Sequence, residues 1–344
     1  MTMDGSGRLP AILGPGACEA PDRRGTKRAR RRFRVLGVPV DALDLAGAVE
    51  AVQRLVLERQ ASARAAYVCV RDVNGVVECQ RDVGLLRIHE EAALVTPDGM
   101  PVVWWGRLAG FRRTDRVYGP DLMLALCHQP PELGLRHFLY GGEPGVAENL
   151  AESLKKQCRD LHVVETWTPP FRPLRSMERQ ELVRRINRSG ANIVWVGLSS
   201  PKQERFMADI APDLRGCILI GVGAAFDFLS GRKRQAPRWL QRSGFEWLFR
   251  LATEPRRLWR RYLINNTVFL CLTFRHLLTM VRLNRPGFPG GPDFWKDGGH
   301  GNEEAIEAVP GGAARARRPS RARAGTRAPL AGGNDPLDRG EGRM

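Results

Sequence analysis

Short apolar runs recur along the first two thirds of the chain, each followed by a segment with helical spacing. Residues 33–40, 65–70, 137–140, 161–166, 193–197 and 217–221 read as strands, and another apolar run ends at Val95. Between them, 44–60 has helical periodicity and opens on Asp44, a residue suited to capping. Helical spacing returns over 74–88, from Gly141-Gly142 through Lys156, and over 177–188 and 201–209. Apolar strands of this length alternating with helices predict βαβ units and an α/β fold, a parallel sheet covered by helices on both faces. Ligands of such sheets bind beyond the carboxyl ends of the strands. The loops after Val70, Val95, Tyr140, Gly197 and Gly221 are therefore expected on one rim.

The pattern changes at 232–285. Here 13 Lys and Arg face only two acids, Glu246 and Glu254, and Trp239, Phe245, Trp247, Phe249, Trp259 and Tyr262 are interleaved with them. The apolar run 268–274 is too short to span a bilayer, and Asn265, Asn266, Arg275, His276 and Arg282 interrupt its surroundings. A pair of basic amphipathic helices lying on an anionic membrane surface suits this composition. The competing account makes the aromatics core and the arginines a solvated face. Residues 1–32 and 286–344 are Gly-, Pro- and Arg-rich with little to bury, and read as a disordered basic leader and tail. The expected divisions are thus 1–32, a core over 33–231, a helical appendage over 232–285, and 286–344.

Charge then narrows the partners. With 54 Lys and Arg against 37 Asp and Glu, the net charge of +17 points to phosphate, whether in nucleotides, nucleic acid or anionic lipid. Seven cysteines without a CxxC pair read as reduced, mostly buried thiols of a cytosolic protein. The six histidines form no HExxH and do not cluster with the cysteines, so no zinc site is expected. No apolar core of a secretory signal appears in 1–32.

Two rigid loops carry candidate chemistry. Thr96-Pro97-Asp98-Gly99-Met100-Pro101 and Arg116-Val117-Tyr118-Gly119-Pro120-Asp121 each set an acid in a Pro/Gly frame between an apolar run and a helical segment. A carboxylate on such a loop is placed to take a proton from a substrate, although a turn cap is the plain structural alternative for Asp98. Asp121 is as suited to capping a helix as to touching a ligand. Asn74 is expected either at a substrate or as a helix cap. Lys202 and Gln203 follow a strand-to-helix turn whose N–H groups suit an anion. Gly221 and Gly223 permit close backbone approach, as a nucleotide floor or through tight sheet packing, and Gly141-Gly142 has the same standing. Asp227 reads as a ribose or base contact, or as an interior polar contact. Arg116 can neutralise charge on a leaving group, or form a surface ion pair with Asp115 or another acid.

Together these stretches resemble the WecG/TagA/CpsF family of bacterial glycosyltransferases. The matching pieces are Asp72-Val73-Asn74-Gly75, the two loops above, Val196-Gly197-Leu198-Ser199-Ser200-Pro201-Lys202-Gln203-Glu204, and Gly221-Val222-Gly223-Ala224-Ala225-Phe226-Asp227. Gly244-Phe245-Glu246-Trp247-Leu248-Phe249-Arg250-Leu251 with Glu254-Pro255-Arg256-Arg257 completes the series. The resemblance implies a Rossmann-like domain with a C-terminal helical appendage that touches the membrane and completes the site. It implies an inverting, metal-independent transfer of sugar from a UDP-sugar to a polyprenyl-diphosphate-linked acceptor at the inner face of the cytoplasmic membrane. Polysaccharide, teichoic acid and common-antigen assembly are the settings it implies.

In the family's pattern Asp98 is the base, and Arg250, Arg257 and Arg260 clamp the lipid-linked acceptor and leaving group; Arg116 is expected at the diphosphate. Arg256 and Arg261 are expected at lipid headgroups. Thr96, Asn74, Gln203, Lys202, Gly221, Gly223 and Asp227 are the expected substrate contacts. Many members carry Thr two residues before the Asn, where this chain has Asp72. A carboxylate there can bind a different donor hydroxyl, so N-acetylmannosamine, its uronate and glucuronate all stay open. No cofactor is expected, and the absence of a DxD pair argues against an Asp-bound metal. Self-association is left open. The alternatives are a basic nucleic-acid-binding protein, against which stands the lack of any HTH, zinc-finger or RRM signature, and a non-catalytic scaffold of polysaccharide assembly.

Overall fold

The computed structural model describes residues 31–283. The basic leader and the Arg-rich tail lie outside the described residues, except that Arg32 already belongs to the fold, its Nε 3.1 Å from Asp41 Oδ1. Strand β1 (Arg32–Val35) turns back through Leu36 and Gly37 into β2 (Val38–Asp41), and the two pair antiparallel as a separate sheet. The single strand expected over 33–40 is therefore a hairpin. Leu36 and Gly37 take φ of 49° and 85°, the positive values that let a two-residue turn match strand twist.

Asp44 caps α1 (Leu45–Ser62), accepting the Gly47 N–H at 2.8 Å. After β3 (Ala66–Arg71) come α2 (Val73–Arg81) and α3 (Val83–Glu91) in place of one helix over 74–88. Asp82 makes the break. Its backbone leaves the helical region, and its carboxylate accepts the Leu85 N–H at 3.0 Å, so it ends one helix and caps the next. The chain continues through β4 (Leu94–Pro97), α4 (Met100–Leu108), α5 (Gly119–Cys127), β5 (Arg136–Gly141), α6 (Val146–Gln157) and β6 (His162–Trp167). It then forms α7 (Ser176–Ser189), β7 (Ile193–Gly197), α8 (Lys202–Ile210), β8 (Ile218–Gly221) and α9 (Ala225–Leu229).

Six strands form one parallel sheet in the order β4-β3-β8-β7-β5-β6. The two-residue period divides the core. Ile193 and Trp195 of β7, with Ile218 and Ile220 of β8, pack against α1, α5 and α6. Val194, Val196 and Leu219 point the other way, onto α2, α3, α7 and α8. Each such fully buried side chain contributes roughly 1.5–3 kcal/mol relative to exposure. The centre of the sheet goes to the most apolar strands, and the edge strand β6 is only half-buried. The fold is the expected α/β sheet covered on both faces, with the strand ends on one rim.

Beyond the sheet lie three helices where a pair was expected: α10 (Arg238–Arg242), α11 (Glu246–Thr253) and α12 (Pro255–Leu283). Glu254 leaves helical geometry and Pro255 opens α12, a position where its missing N–H costs nothing. Leu258, Tyr262, Asn265 and Phe269 recur at helical spacing, and all four are buried. Arg81 Nη1 donates to Asn265 Oδ1 at 3.2 Å, Asn265 Nδ2 to Asn74 Oδ1 at 3.4 Å, and Asn74 Nδ2 to Asp72 Oδ2 at 2.9 Å. This chain of bonds ties α12 to the head of α2. Trp259, Leu263, Leu270, Phe274 and Leu277 form a neighbouring stripe that stays exposed. The aromatic segment is thus part core and part open apolar surface. Among the described residues no helix is long and apolar enough to cross a membrane.

Candidate active site

The carboxyl ends of β3 and β4 open into a cleft of about 470 Å³, roofed by α11 and α12. Asp98 stands on its floor because of its neighbours in sequence. Its N–H donates to Arg71 O at 2.7 Å, extending the ladder one residue past β4. Gly99 then takes φ 89°, which side-chain-bearing residues rarely adopt, and turns the chain into α4. The Pro97-Asp98-Gly99 frame therefore aims one carboxylate into the cleft.

Arg116 holds that carboxylate. Its Nε donates to Asp98 Oδ1 at 2.9 Å, its Nη2 to Glu246 Oε2 at 2.6 Å, and its Nη1 to the Gln241 carbonyl at 3.3 Å. The guanidinium carbon lies 4.1 Å from the centre of the Tyr118 ring, and Tyr118 Oη donates to Glu246 Oε1 at 3.2 Å. Arg116 is thus neither a surface partner of Asp115 nor a free phosphate ligand. Asp115 accepts only its backbone N–H and pairs with Arg107 instead. Burial pushes the Asp98 carboxyl up to about 6; Arg116 pulls against that rise, and Glu246 and Asp72 add to it. Arg250 lines the same cleft, and its buried Nε has no hydrogen-bond partner among the described residues.

Asp72 and Asn74 reach the cleft from the head of α2, with the capping roles reversed from expectation. Asp72 is the cap, accepting the Gly75 N–H at 2.8 Å, and Asn74 joins the chain of bonds to α12. Burial alone would raise the Asp72 carboxyl, yet Arg261, Arg71 and the hydrogen bonds from Asn74 and Gly75 hold it below its ordinary value. Arg261, expected at lipid headgroups, therefore acts on Asp72. Arg257 pairs with Glu254 at 2.8 Å and Arg260 stacks on Trp259; neither lines the cleft.

Other expected contacts lie elsewhere. Thr96 is sealed inside the sheet. Gln203 is buried beneath Gly221 and Gly223, where a Cβ on Gly221 would come within 3.1 Å of its amide, so tight packing explains that glycine. Lys202 is exposed at the start of α8. Asp227 is engaged by Lys233 Nζ at 2.9 Å. Asp121 sits in the first turn of α5 without making a capping bond. The second wall of the cleft is apolar, made by Met100, Trp104, Trp105, Leu108, Phe269 and Leu270.

Sequence reasoning passed over Glu246, Tyr118 and Tyr262. Glu246 was nonetheless marked, being one of two acids among 13 cations.

An α/β sheet with a frame-held carboxylate at a strand end, facing a cleft that is polar on one side and apolar on the other, defines an enzyme fold with its site on the strand-end rim. The family model described as "Glycosyl transferase WecG/TagA/CpsF family" matches residues 33–282. The chain belongs to that family: it is a glycosyltransferase of cell-surface polysaccharide biosynthesis.

Proposed function

We propose that the enzyme moves a sugar from a UDP-sugar to a hydroxyl of a polyprenyl-diphosphate-linked acceptor, with inversion, at the inner face of the cytoplasmic membrane. The observation that carries this reading is Asp98. Its carboxyl sits near 6, so it is ionised at neutral pH yet more basic than an ordinary aspartate. Arg116 occupies Oδ1. Among the described residues no hydrogen bond falls on Oδ2, which is left to accept the proton of the attacking hydroxyl. As that proton moves to Oδ2, the acceptor oxygen attacks the anomeric carbon and the bond to the UDP oxygen breaks on the opposite side.

Arg250 takes the part that Arg116 cannot, because Arg116 already serves two carboxylates. Its cation, with an unpartnered buried Nε, suits a diphosphate. The wall of Trp104, Leu108 and Leu270 suits the first isoprene units of the acceptor, and it continues into the exposed stripe of Phe274 and Leu277 on α12. That stripe, beside the basic residues of 232–285, suits contact with an anionic bilayer.

Two measurements test the reading. UDP at millimolar concentration is expected to raise the thermal midpoint, because a ligand held by the native state alone stabilises it. A panel of UDP-sugars with membrane-extracted lipid-linked acceptors is expected to release UDP for one donor. No UDP shift, together with tight sequence-specific DNA binding, would sink the enzyme reading.

A further inference from the structure

Between the core and its C-terminal helices, one guanidinium serves two carboxylates. Arg116 reaches Asp98 through Nε and Glu246 through Nη2, and Glu246 is fixed from its other oxygen by Tyr118 Oη. The side chains of Arg116 and Glu246 are 13% and 12% exposed, so their interaction is little screened by water. A lone Asp–Arg pair favours the two-pronged arrangement in which the guanidinium grips both carboxylate oxygens. Here Glu246 holds the second prong.

We propose that Glu246 is a positioning residue for sugar transfer: by sharing Arg116 with Asp98 it holds the guanidinium to one oxygen of Asp98 and keeps Oδ2 free. This rests on Asp98 being the general base. The charged and titratable groups around Asp98 are Arg116 and Tyr118 before α5, Asp72 at the head of α2, Glu246 and Arg250 on α11, and Tyr262 on α12. Of these, Glu246 and Asp72 raise the Asp98 carboxyl and Arg116 lowers it. Asp72 is committed to capping α2 and to Asn74. Glu246 is the carboxylate in direct contact with the cation that holds the base. Because it stands in the first turn of α11, the proton affinity of a core residue depends on the helix laid over it.

Without the Glu246 charge, Arg116 is undivided and stabilises ionised Asp98 more strongly, so Asp98 becomes a weaker base. In Glu246→Gln the acid limb of the kcat/KM profile is expected to move to lower pH by about half a unit to one unit. Plateau kcat is expected to fall about tenfold, with donor KM changed little. Glu246→Asp keeps the charge and is expected to return the limb close to its original place. If Glu246→Gln does not fold, Tyr118→Phe, which removes the Oη donor from Glu246 and leaves its charge more fully on Arg116, is expected to move the limb to higher pH by less.

A Glu246→Gln or Tyr118→Phe enzyme that loses turnover with its acid limb unmoved overturns the proposal and leaves Glu246 as a clasp for α11. Asp98→Asn with near-normal turnover overturns the base assignment itself. Loss of turnover in Asp98→Asn beside an unmoved limb in Glu246→Gln overturns only the role of Glu246.

Discussion

Arg116 Nε lies 2.9 Å from Asp98 Oδ1, yet the Asp98 carboxyl is pushed up to about 6 and not down. Ion pairing with arginine ordinarily lowers an aspartate. Burial outweighs it here, and Glu246 draws part of the same cation away. An aspartate that is anchored, aimed and still basic is what proton removal from a sugar hydroxyl at neutral pH requires.

Replacing Asp98 with Asn keeps the shape and removes the proposed base. Turnover is expected to fall at least about a hundredfold, the usual scale for losing a general base. The thermal shift produced by UDP is expected to persist, since Arg250 is untouched. Near-normal UDP release in a steady-state assay would remove Asp98 from the role.

The same substitution tests stability with the opposite sign. A carboxyl whose folded-state pKa is raised from 3.8 to about 6 contributes stability that is present below 3.8 and lost as pH rises through 6. Ionised Asp98 therefore destabilises the fold at neutral pH. Asp98→Asn is expected to match or exceed the wild-type unfolding free energy at pH 7.5, by up to about 2 kcal/mol, and to show a thermal midpoint at least as high. At pH 4 that advantage is expected to vanish. A variant markedly less stable at pH 7.5 would show that the Arg116 contact outweighs burial.

Arg71 and Glu204 form an ion pair with side chains 1% and 0% exposed, beneath the sheet's carboxyl edge. Glu204→Leu strands a buried guanidinium and is expected to cost about 3–5 kcal/mol in urea unfolding. Arg71→Met combined with Glu204→Leu removes both charges and is expected to be more stable than the single variant. A double variant as destabilised as Glu204→Leu alone would instead mark the pair as a net stabiliser.

Membrane contact is best tested on the surface of α12. Truncation after Gly231 would uncover the seats of Leu258, Tyr262 and Phe269, all buried against the rest of the fold. Phe274, 64% exposed, and Leu277, 48% exposed, can change without opening the core. Phe274→Glu with Leu277→Glu is expected to abolish co-sedimentation with anionic vesicles and leave the thermal midpoint within a few degrees. Undiminished sedimentation would put the membrane contact elsewhere.

The sheet was legible because its strands are short, apolar and separated by helices, so periodicity marked them as a helix-covered parallel sheet, while their order β4-β3-β8-β7-β5-β6 came only from the structure. What periodicity missed was set by single residues. Leu36-Gly37 makes a hairpin inside an apolar run, and Asp82 cuts a helical pattern that its neighbours continue. The loop carrying Asp98 was readable from its Pro/Gly frame. Its partner Glu246, 148 positions later in the sequence, was not, because pairing across that distance leaves no trace in spacing. The arginines of 232–285 look alike in sequence; only packing separates Arg250 in the cleft from Arg257 and Arg260 outside it.

The hydrogen bond from Asn265 to Asn74 has a consequence for how the enzyme comes into being. A polypeptide emerging from the ribosome carries Asp98 and Arg116 early, but Glu246, Arg250 and the Asn265 bond to the head of α2 arrive only near the end of the folded region. A chain that stops before residue 246 has Asp98 without the carboxylate that shares its cation, and a cleft without its roof of α11 and α12. On the proposed reading, premature termination anywhere in the core is expected to give a product without sugar transfer, so an incompletely made protein would leave the acceptor unconsumed.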